Sequence, residues 1–331
     1  NVGREMLSIL DERQFPVDEC HAIASRKSMG VEVSFGDRTL KCQDLEQFDF
    51  SKVDFCLMSA GSAVSKEWSP KIGATGCIVI DNSSCWRYDP EVPMIVPEVN
   101  ANALTEYMAR PNRRNIIANP NCSTIQMLVA LKPLHDAAKI ERINVATYQS
   151  VSGAGKEAVE ELAAQSVALM SGKGPVKPKV VAAQIAFNVV PQIDKFQDNG
   201  YTKEEMKMFW ETRKIFNDPE IRVNATAVRV PVFFGHSEVV SIETARKLTV
   251  AEAHKLLDKA PGVKVIDTRK PGGYPTAAVE AANDDRVFVG RIREDISHER
   301  GLNLWIVSDN IRKGAATNSV QIAEILTRDY L

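Results

Sequence analysis

The run Val53-Asp54-Phe55-Cys56-Leu57-Met58-Ser59-Ala60-Gly61-Ser62 sets the architecture of this chain. Its apolar first part reads as a strand over residues 53–58, its small residues as a tight turn, and a helix is expected from Ser62. On either side the alternation continues. Residues 4–10 carry a helical pattern, 20–24 and 77–80 are apolar strands, and a strand over 115–118 leads through Asn119-Pro120-Asn121 into an apolar helix from Cys122. Strands and helices in this order form a parallel sheet with crossover helices. From about Ile143 the strands lengthen. Those at 225–233 and 238–244 are expected to be antiparallel, with helices over 157–170 and 203–215, giving a second, mixed α/β domain. After a strand at 302–307, an amphipathic helix at 318–326 is expected to return and pack on the first domain. The division expected is therefore 1–121 with 315–331, and 122–314.

Size and charge narrow the function classes. A chain of 331 residues exceeds what one hydrophobic core supports, and 44% hydrophobic residues supply enough material for two. A net charge of −2 and a pI of about 6.3, with charges of both signs interspersed, favour neither nucleic acid nor an acidic membrane as partner. Small molecules are the expected ligands. No apolar run approaches the ~20 residues that span a bilayer, and no secretory leader opens the sequence, so a cytoplasmic location is expected. The six cysteines show no CxxC pair or metal-ligand spacing, and all but Cys122 read as reduced and mostly buried.

Glycine motifs were tested against the strand-turn-helix context that phosphate binding requires, where a helix N-terminus supplies amides and positive dipole. Gly73-Ala74-Thr75-Gly76 fails, because a strand follows it. Ser152-Gly153-Ala154-Gly155-Lys156 resembles a Walker A loop only superficially, since Glu157 stands where Ser or Thr is required. Asn1-Val2-Gly3-Arg4 reads instead as the tail of a dinucleotide turn, with Gly3 its last glycine; the strand and glycines that would precede it are not in the sequence, which is either a truncated piece or, if they are truly missing, that of a sheet without a central strand and with weaker cofactor binding. About twenty residues on, Ser25, Arg26, Lys27 and Ser28 stand where an NAD-binding fold places a carboxylate on the ribose. Hydroxyls and cations suit a 2′-phosphate, which favours NADP. A solvated basic turn is the alternative.

Asn119-Pro120-Asn121-Cys122-Ser123-Thr124-Ile125-Gln126 carries the chemistry. A cysteine at a helix N-terminus sits in the positive end of the dipole, which favours thiolate, and first-turn amides can stabilise an oxyanion. On residues alone, a small buried cysteine capping a tight turn fits as well. The run Asn121-Cys122-Ser123-Thr124, with Val96-Pro97-Glu98-Val99-Asn100 before it and Gln149-Ser150-Val151-Ser152-Gly153-Ala154-Gly155 after it, resembles the bacterial aspartate-semialdehyde dehydrogenases of the glyceraldehyde-3-phosphate dehydrogenase-like superfamily. The resemblance extends over nearly the whole chain.

What the resemblance implies is specific. The fold would be a Rossmann-like NADP-binding domain followed by a mixed α/β catalytic and dimerisation domain, in a homodimer paired through that second domain. Cys122 would be the nucleophile, His236 its acid/base partner and Gln149 the residue orienting substrate at the thioester. In Arg229-Val230-Pro231-Val232-Phe233-Phe234-Gly235-His236, Arg229 would pair with the substrate α-carboxylate; a guanidinium fork suits a carboxylate, and a histidine titrates near neutral pH. Glu204 would hold the substrate ammonium, with Glu205 as the alternative register, and Lys207, Arg87 and Asn121 would bind phosphate. Taken alone, Glu204 and Lys207, three apart on a helix, read as a surface ion pair. Ser59, Gly61, Asn82, Ser152, Gly153 and Asn310 would line the cofactor, although loop serines and glycines also serve turn geometry alone.

The reaction implied is interconversion of aspartate semialdehyde plus phosphate with β-aspartyl phosphate, on the route to lysine, threonine, methionine and isoleucine. Three competitors remain at this level. N-acetyl-γ-glutamyl-phosphate reductase shares the chemistry but gives Glu204 no purpose, a cysteine hydrolase would need no nicotinamide, and a non-catalytic homologue would not need Cys122, Gln149, Arg229 and His236 together.

Overall fold

The computed structural model describes residues 2–331. They form two compact units, 2–120 with 315–331 and 121–314.

In the first unit, Ile78–Asp81 is the middle of three parallel strands, between Phe55–Met58 and Ile116–Ala118. It is buried at every position, as a strand covered on both faces must be. The helix Ser62–Gly73 connects the first two strands; Ala103–Met108 lies between the second and third. The helices Val2–Glu12 and Thr317–Tyr330 pack on each other and on Phe55–Met58. Ile322, Ala323 and Leu326 thereby join Ile78, Ile80, Ile95, Leu104, Tyr107 and Ile117 in one core, so the last helix does return to the first unit.

Two expectations change. The strand expected at 20–24 is reduced to Ile23–Ala24, because its partner Gln43–Asp44 is only two residues long and sets the length of the ladder. That pair forms its own small sheet rather than extending the three-stranded one. Gly73 and Gly76, set aside as a phosphate loop, close the Ser62–Gly73 helix and turn the chain into Ile78–Asp81. Gly76 takes a φ of +101°, and a Cβ on Gly73 would lie 2.2 Å from the Arg114 carbonyl oxygen.

The second unit is built on six strands in the order Val263–Val265, Val287–Glu294, Gly301–Ser308, His236–Thr244, Ile140–Gln149, Arg222–Arg229. His236–Thr244 runs antiparallel to both its neighbours, as expected. The strand expected at 225–233 instead ends at Arg229, ahead of Pro231, and runs parallel to Ile140–Gln149. The connection explains the direction, since helices Lys156–Met170 and Lys203–Phe216 carry the chain back before it re-enters the sheet. The buried residues Thr147, Gln149, Ala227, Arg229, His236 and Glu238 recur at every second position of their strands, the period that puts side chains on one face. Helix Cys122–Ala138 packs against strand His236–Thr244, and helix Lys203–Phe216 packs against both Cys122–Ala138 and Arg222–Arg229. The helix Val250–Leu257 and the strand Val287–Glu294 had no counterpart in the sequence reading; the latter is broken by a register shift between Gly290 and Arg293. Among the described residues no helix is long and apolar enough to cross a membrane.

Replacing Gly73 by alanine is expected to cost ~1–3 kcal/mol, because the new methyl meets backbone rather than a movable side chain. Urea denaturation followed by a probe in the first unit measures this; an unchanged midpoint would contradict it.

Candidate active site

Cys122 is the first residue of its helix. The N-cap, Asn121, holds an extended conformation (φ −64°, ψ 143°), and its Oδ1 accepts the N–H groups of Ser123 at 3.0 Å and Thr124 at 3.4 Å. These are two of the first-turn amides expected to serve an oxyanion. The cap takes both, and the helix end also sets its positive dipole at Cys122. Gly314 lies against Cys122, where a Cβ on the glycine would come 2.8 Å from the Cys122 Cβ.

Asn121 is gripped twice by the helix Lys203–Phe216. Its Nδ2 donates to Glu204 Oε1 at 2.9 Å and its backbone N–H donates to Glu211 Oε2 at 2.7 Å. Glu204 is buried and also accepts from Gln149 Nε2 at 3.2 Å and, on Oε2, from Lys207 Nζ at 2.7 Å. Burial pushes the Glu204 carboxyl up, but Lys207 and the hydrogen bonds from Lys207, Asn121 and Gln149 outweigh it and hold it at about 2. Glu204 and Lys207 are thus part of the buried site rather than a surface pair. Glu205, the alternative register, is used structurally: it completes a capping box with Thr202 and accepts the Ala227 N–H. Glu211 escaped the sequence reading, although it stands seven residues after Glu204 and so shares its helix face.

Arg229, at the end of its strand, is buried and donates through Nη1 to the Ser150 carbonyl at 2.7 Å. Burial lowers its pKa, while Glu204 and Cys122 act in the opposite direction, which places all three groups in one electrostatic neighbourhood. His236 is fully buried. Its Nδ1 accepts the Ser150 backbone N–H at 3.1 Å, so the neutral ring carries its proton on Nε2, and Nε2 has no hydrogen-bond partner among the described residues. Burial, helped by Arg229 and opposed by Glu204, pushes the ring's pKa down to about 3. The near-neutral titration expected from sequence is therefore replaced by a neutral ring that points a donor into the site. Gly153 keeps that space open: a Cβ there would lie 3.1 Å from His236 Nε2 and 3.2 Å from Arg229 Nη1.

Asn310 organises the loops around this centre. Its Oδ1 accepts from the Gly235 N–H at 2.9 Å, Ser150 Oγ at 3.1 Å and Ser152 Oγ at 3.2 Å. Cys122, Asn121, Gln149, Ser152, Gly153, Glu204, Lys207, Arg229, His236 and Asn310 all belong to the second unit.

The remaining candidates lie in the first unit. Ser59, Asn82 and Asn119 are the residues immediately beyond the C-terminal ends of its three parallel strands, the edge where open α/β sheets bind ligands. Asn82 accepts from Asn119 Nδ2 at 3.0 Å and donates to Ser319 Oγ at 2.9 Å. Arg87 is buried and donates to the Asn119 carbonyl at 2.9 Å and the Asn82 carbonyl at 3.1 Å. Gly61, with φ +84°, precedes a helix whose N-terminus has no side-chain cap. Ser25, Arg26 and Lys27 form an exposed turn just after Ile23–Ala24, closed by the half-buried Ser28, and Arg26 lies 3.5 Å from the Asp44 carboxylate. Gly3 sits in the first turn of Val2–Glu12. Among the described residues there is no cluster of groups that could hold a metal ion.

Family models of the semialdehyde dehydrogenase NAD-binding domain and dimerisation domain match residues 1–107 and 131–313. The whole chain aligns at 58% identity with 94% of the aspartate-semialdehyde dehydrogenase of Legionella pneumophila, and at 52% identity with 96% of that of Aquifex aeolicus. The chain belongs to the aspartate-semialdehyde dehydrogenase family. It is an oxidoreductase whose first unit carries the family's nicotinamide-dinucleotide domain and whose second carries its dimerisation domain. In three dimensions it is similar to aspartate semialdehyde dehydrogenase II of Vibrio cholerae complexed with ASA. The TM-score is 0.96 at 53% identity, covering 100% of this chain and 96% of that one.

If the Ser150 amide fixes the histidine as described, ¹⁵N NMR of His236 will show the neutral Nε2–H tautomer throughout about pH 5–8, where a free imidazole would change charge. The sign follows from burial: the folded pKa is depressed, so the neutral form persists above about 3. Protonation centred near ~6.5 would refute it.

Proposed function

We propose that this chain catalyses the reversible oxidation of L-aspartate 4-semialdehyde with phosphate to L-4-aspartyl phosphate, through a thioester on Cys122 and with NADP as cofactor. The observation that carries the reading is the convergence of Cys122, Gln149, Arg229, His236 and the buried Glu204 carboxylate in the second unit. An amino-acid aldehyde needs both signs of charge at its backbone end. Arg229 offers a fork for the α-carboxylate and Glu204, ionised down to about 2, offers a counter-charge for the ammonium. The same carboxylate is a poor match for an N-acetylated substrate, and the nicotinamide domain has no use in a cysteine hydrolase.

Residues for the cofactor are present. Gly153 leaves an opening beside His236 and Arg229, Ser59, Gly61 and Asn82 line the C-terminal edge of the parallel sheet, and Gly3 opens the neighbouring helix. Arg26 and Lys27, between Ser25 and Ser28, suit the extra phosphate of NADP. Ser152 and Asn310, hydrogen-bonded to each other, hold the loop that carries Gly153. The nicotinamide, when bound, supplies the hydride acceptor.

The chain's own residues do the rest. Cys122 Sγ adds to the aldehyde carbon, and the His236 Nε2–H is oriented to donate to the oxygen that gains charge. Once the hemithioacetal carbon is oxidised, the acyl group remains on sulfur as a thioester. Phosphate, held by Arg87, Lys207 and Asn121, then attacks the thioester carbonyl, the C–S bond breaks, and aspartyl phosphate leaves with Cys122 restored as thiolate. The family's dimerisation domain supports a homodimer as the working form.

The test is NADP⁺ reduction by L-aspartate semialdehyde in the presence and absence of phosphate. Cys122→Ser is expected to lower turnover by at least ~10³-fold. Arg229→Leu is expected to raise the aldehyde KM by at least ~10-fold, as loss of a buried carboxylate fork should. NADP⁺ should exceed NAD⁺ in kcat/KM, and Arg26→Ala should narrow that ratio. Near-normal turnover by Cys122→Ser would overturn the mechanism.

A further inference from the structure

Below the reacting groups lies a carboxyl group that the proposed mechanism does not use. Glu238 is fully buried on the strand His236–Thr244, two residues from His236 and therefore on the same face. In the sheet it stands opposite Thr147 on one side and Ile306 on the other. The helix Cys122–Ala138 packs on this strand and presents Gln126, one turn beyond Cys122. Gln126 is equally buried, and its Nε2 lies 3.4 Å from the His236 carbonyl oxygen. Neither carboxyl oxygen of Glu238 makes a well-formed hydrogen bond among the described residues, although Gln126 stands close enough to act on the carboxyl, and the Oε1 of Gln126 is equally without a partner. Buried polar atoms are rarely left in that state, because each orphan loses its hydration without a replacement partner.

The neighbours decide the form Glu238 takes. Its register partners Thr147 and Ile306 carry no charge, nor does Gln126 on the helix, the one side chain that acts on the carboxyl among the described residues. Burial therefore pushes the Glu238 carboxyl well above the usual carboxylate range, with Gln126 the sole opposing influence. A neutral carboxyl has one O–H donor and one carbonyl acceptor; a primary amide has the complementary pair. Gln126 acts on the carboxyl as a donor, which leaves its Oε1 as the acceptor for the acid proton.

We propose that Glu238 and Gln126 form an acid–amide pair that ties the strand bearing His236 to the helix bearing Cys122, which makes Glu238 a positioning residue for the reaction. The inference rests on the proposed roles of Cys122 and His236. Its physical content is separate: a neutral acid clamps two elements whose ends must meet with sub-ångström accuracy, and keeps negative charge away from a thiolate and from a histidine with a depressed pKa.

Four measurements test it, beginning with turnover of the wild-type protein, whose absence would sink the functional reading and not this one. Infrared spectroscopy should show a protonated-carboxyl band at neutral pH that is missing from Glu238→Gln; its absence from the wild type overturns the proposal. Glu238→Gln keeps a donor and an acceptor, so its kcat should stay within about threefold of wild type. The double variant Gln126→Leu with Glu238→Leu removes both partners and should keep its melting temperature, because replacing both ends of a buried pair with apolar groups is nearly neutral. Its kcat should nevertheless fall by about tenfold, with the aldehyde KM within about threefold. A double variant that turns over like wild type would reduce the pair to packing, and a Glu238→Gln variant as slow as the double would make the carboxyl proton itself essential; either result overturns the pair as a positioning device.

Discussion

The chemistry of this protein depends on the hold that one helix keeps on one asparagine. Lys203–Phe216 presents Glu204 and Glu211 two turns apart; the first takes the side chain of Asn121 and the second its backbone N–H. Asn121 is in turn the cap that ends the chain's extended run and starts the helix at Cys122. Cys122 is therefore placed by charge-assisted bonds to a neighbouring element rather than by its own loop. A loop ending in Asn119-Pro120 could not supply this alone, since proline donates nothing. Lys207 offsets the buried negative charge on Glu204, so the clamp is an ion pair with its remaining lone pairs satisfied by amides, the form in which buried charge is tolerable.

The parallel half of the fold was legible because its strands are short, apolar and punctuated by small residues. Phe55–Met58, Ile78–Asp81 and Ile116–Ala118 each fall within two residues of the expected bounds. The second unit was harder for a reason that lies in the sheet itself. The direction of Arg222–Arg229 is set by how the intervening helices return the chain, and its end by Pro231; local periodicity reports neither the first nor the register. Val287–Glu294 was missed because Gly290 and the bulge beyond it interrupt the two-residue alternation.

At the site, residue types were more readable than their states. Cys122, Arg229 and His236 stand together in the second unit, and Glu204 proved buried although i,i+3 spacing alone suggested a surface pair. What composition could not reveal was the consequence of burial. The histidine is neutral, with its tautomer set by the Ser150 amide, and the amides of Ser123 and Thr124 belong to the cap. Glu211 and Gly314 were silent because their roles are contacts: one meets Asn121 across 90 residues of chain and the other is defined by the methyl it lacks.

That separation also orders events during synthesis. Residues 122 and 123 emerge early, yet the carboxylates that orient them arrive some eighty residues later, and the sheet that supports the histidine is complete only once Gly301–Ser308 has paired with it. Contacts so distant along the chain close late in folding. The cysteine consequently passes through synthesis and collapse without the surroundings that orient it. A half-made chain carries that thiol without the cap, the carboxylates and the sheet, all of which arrive with the same late closure.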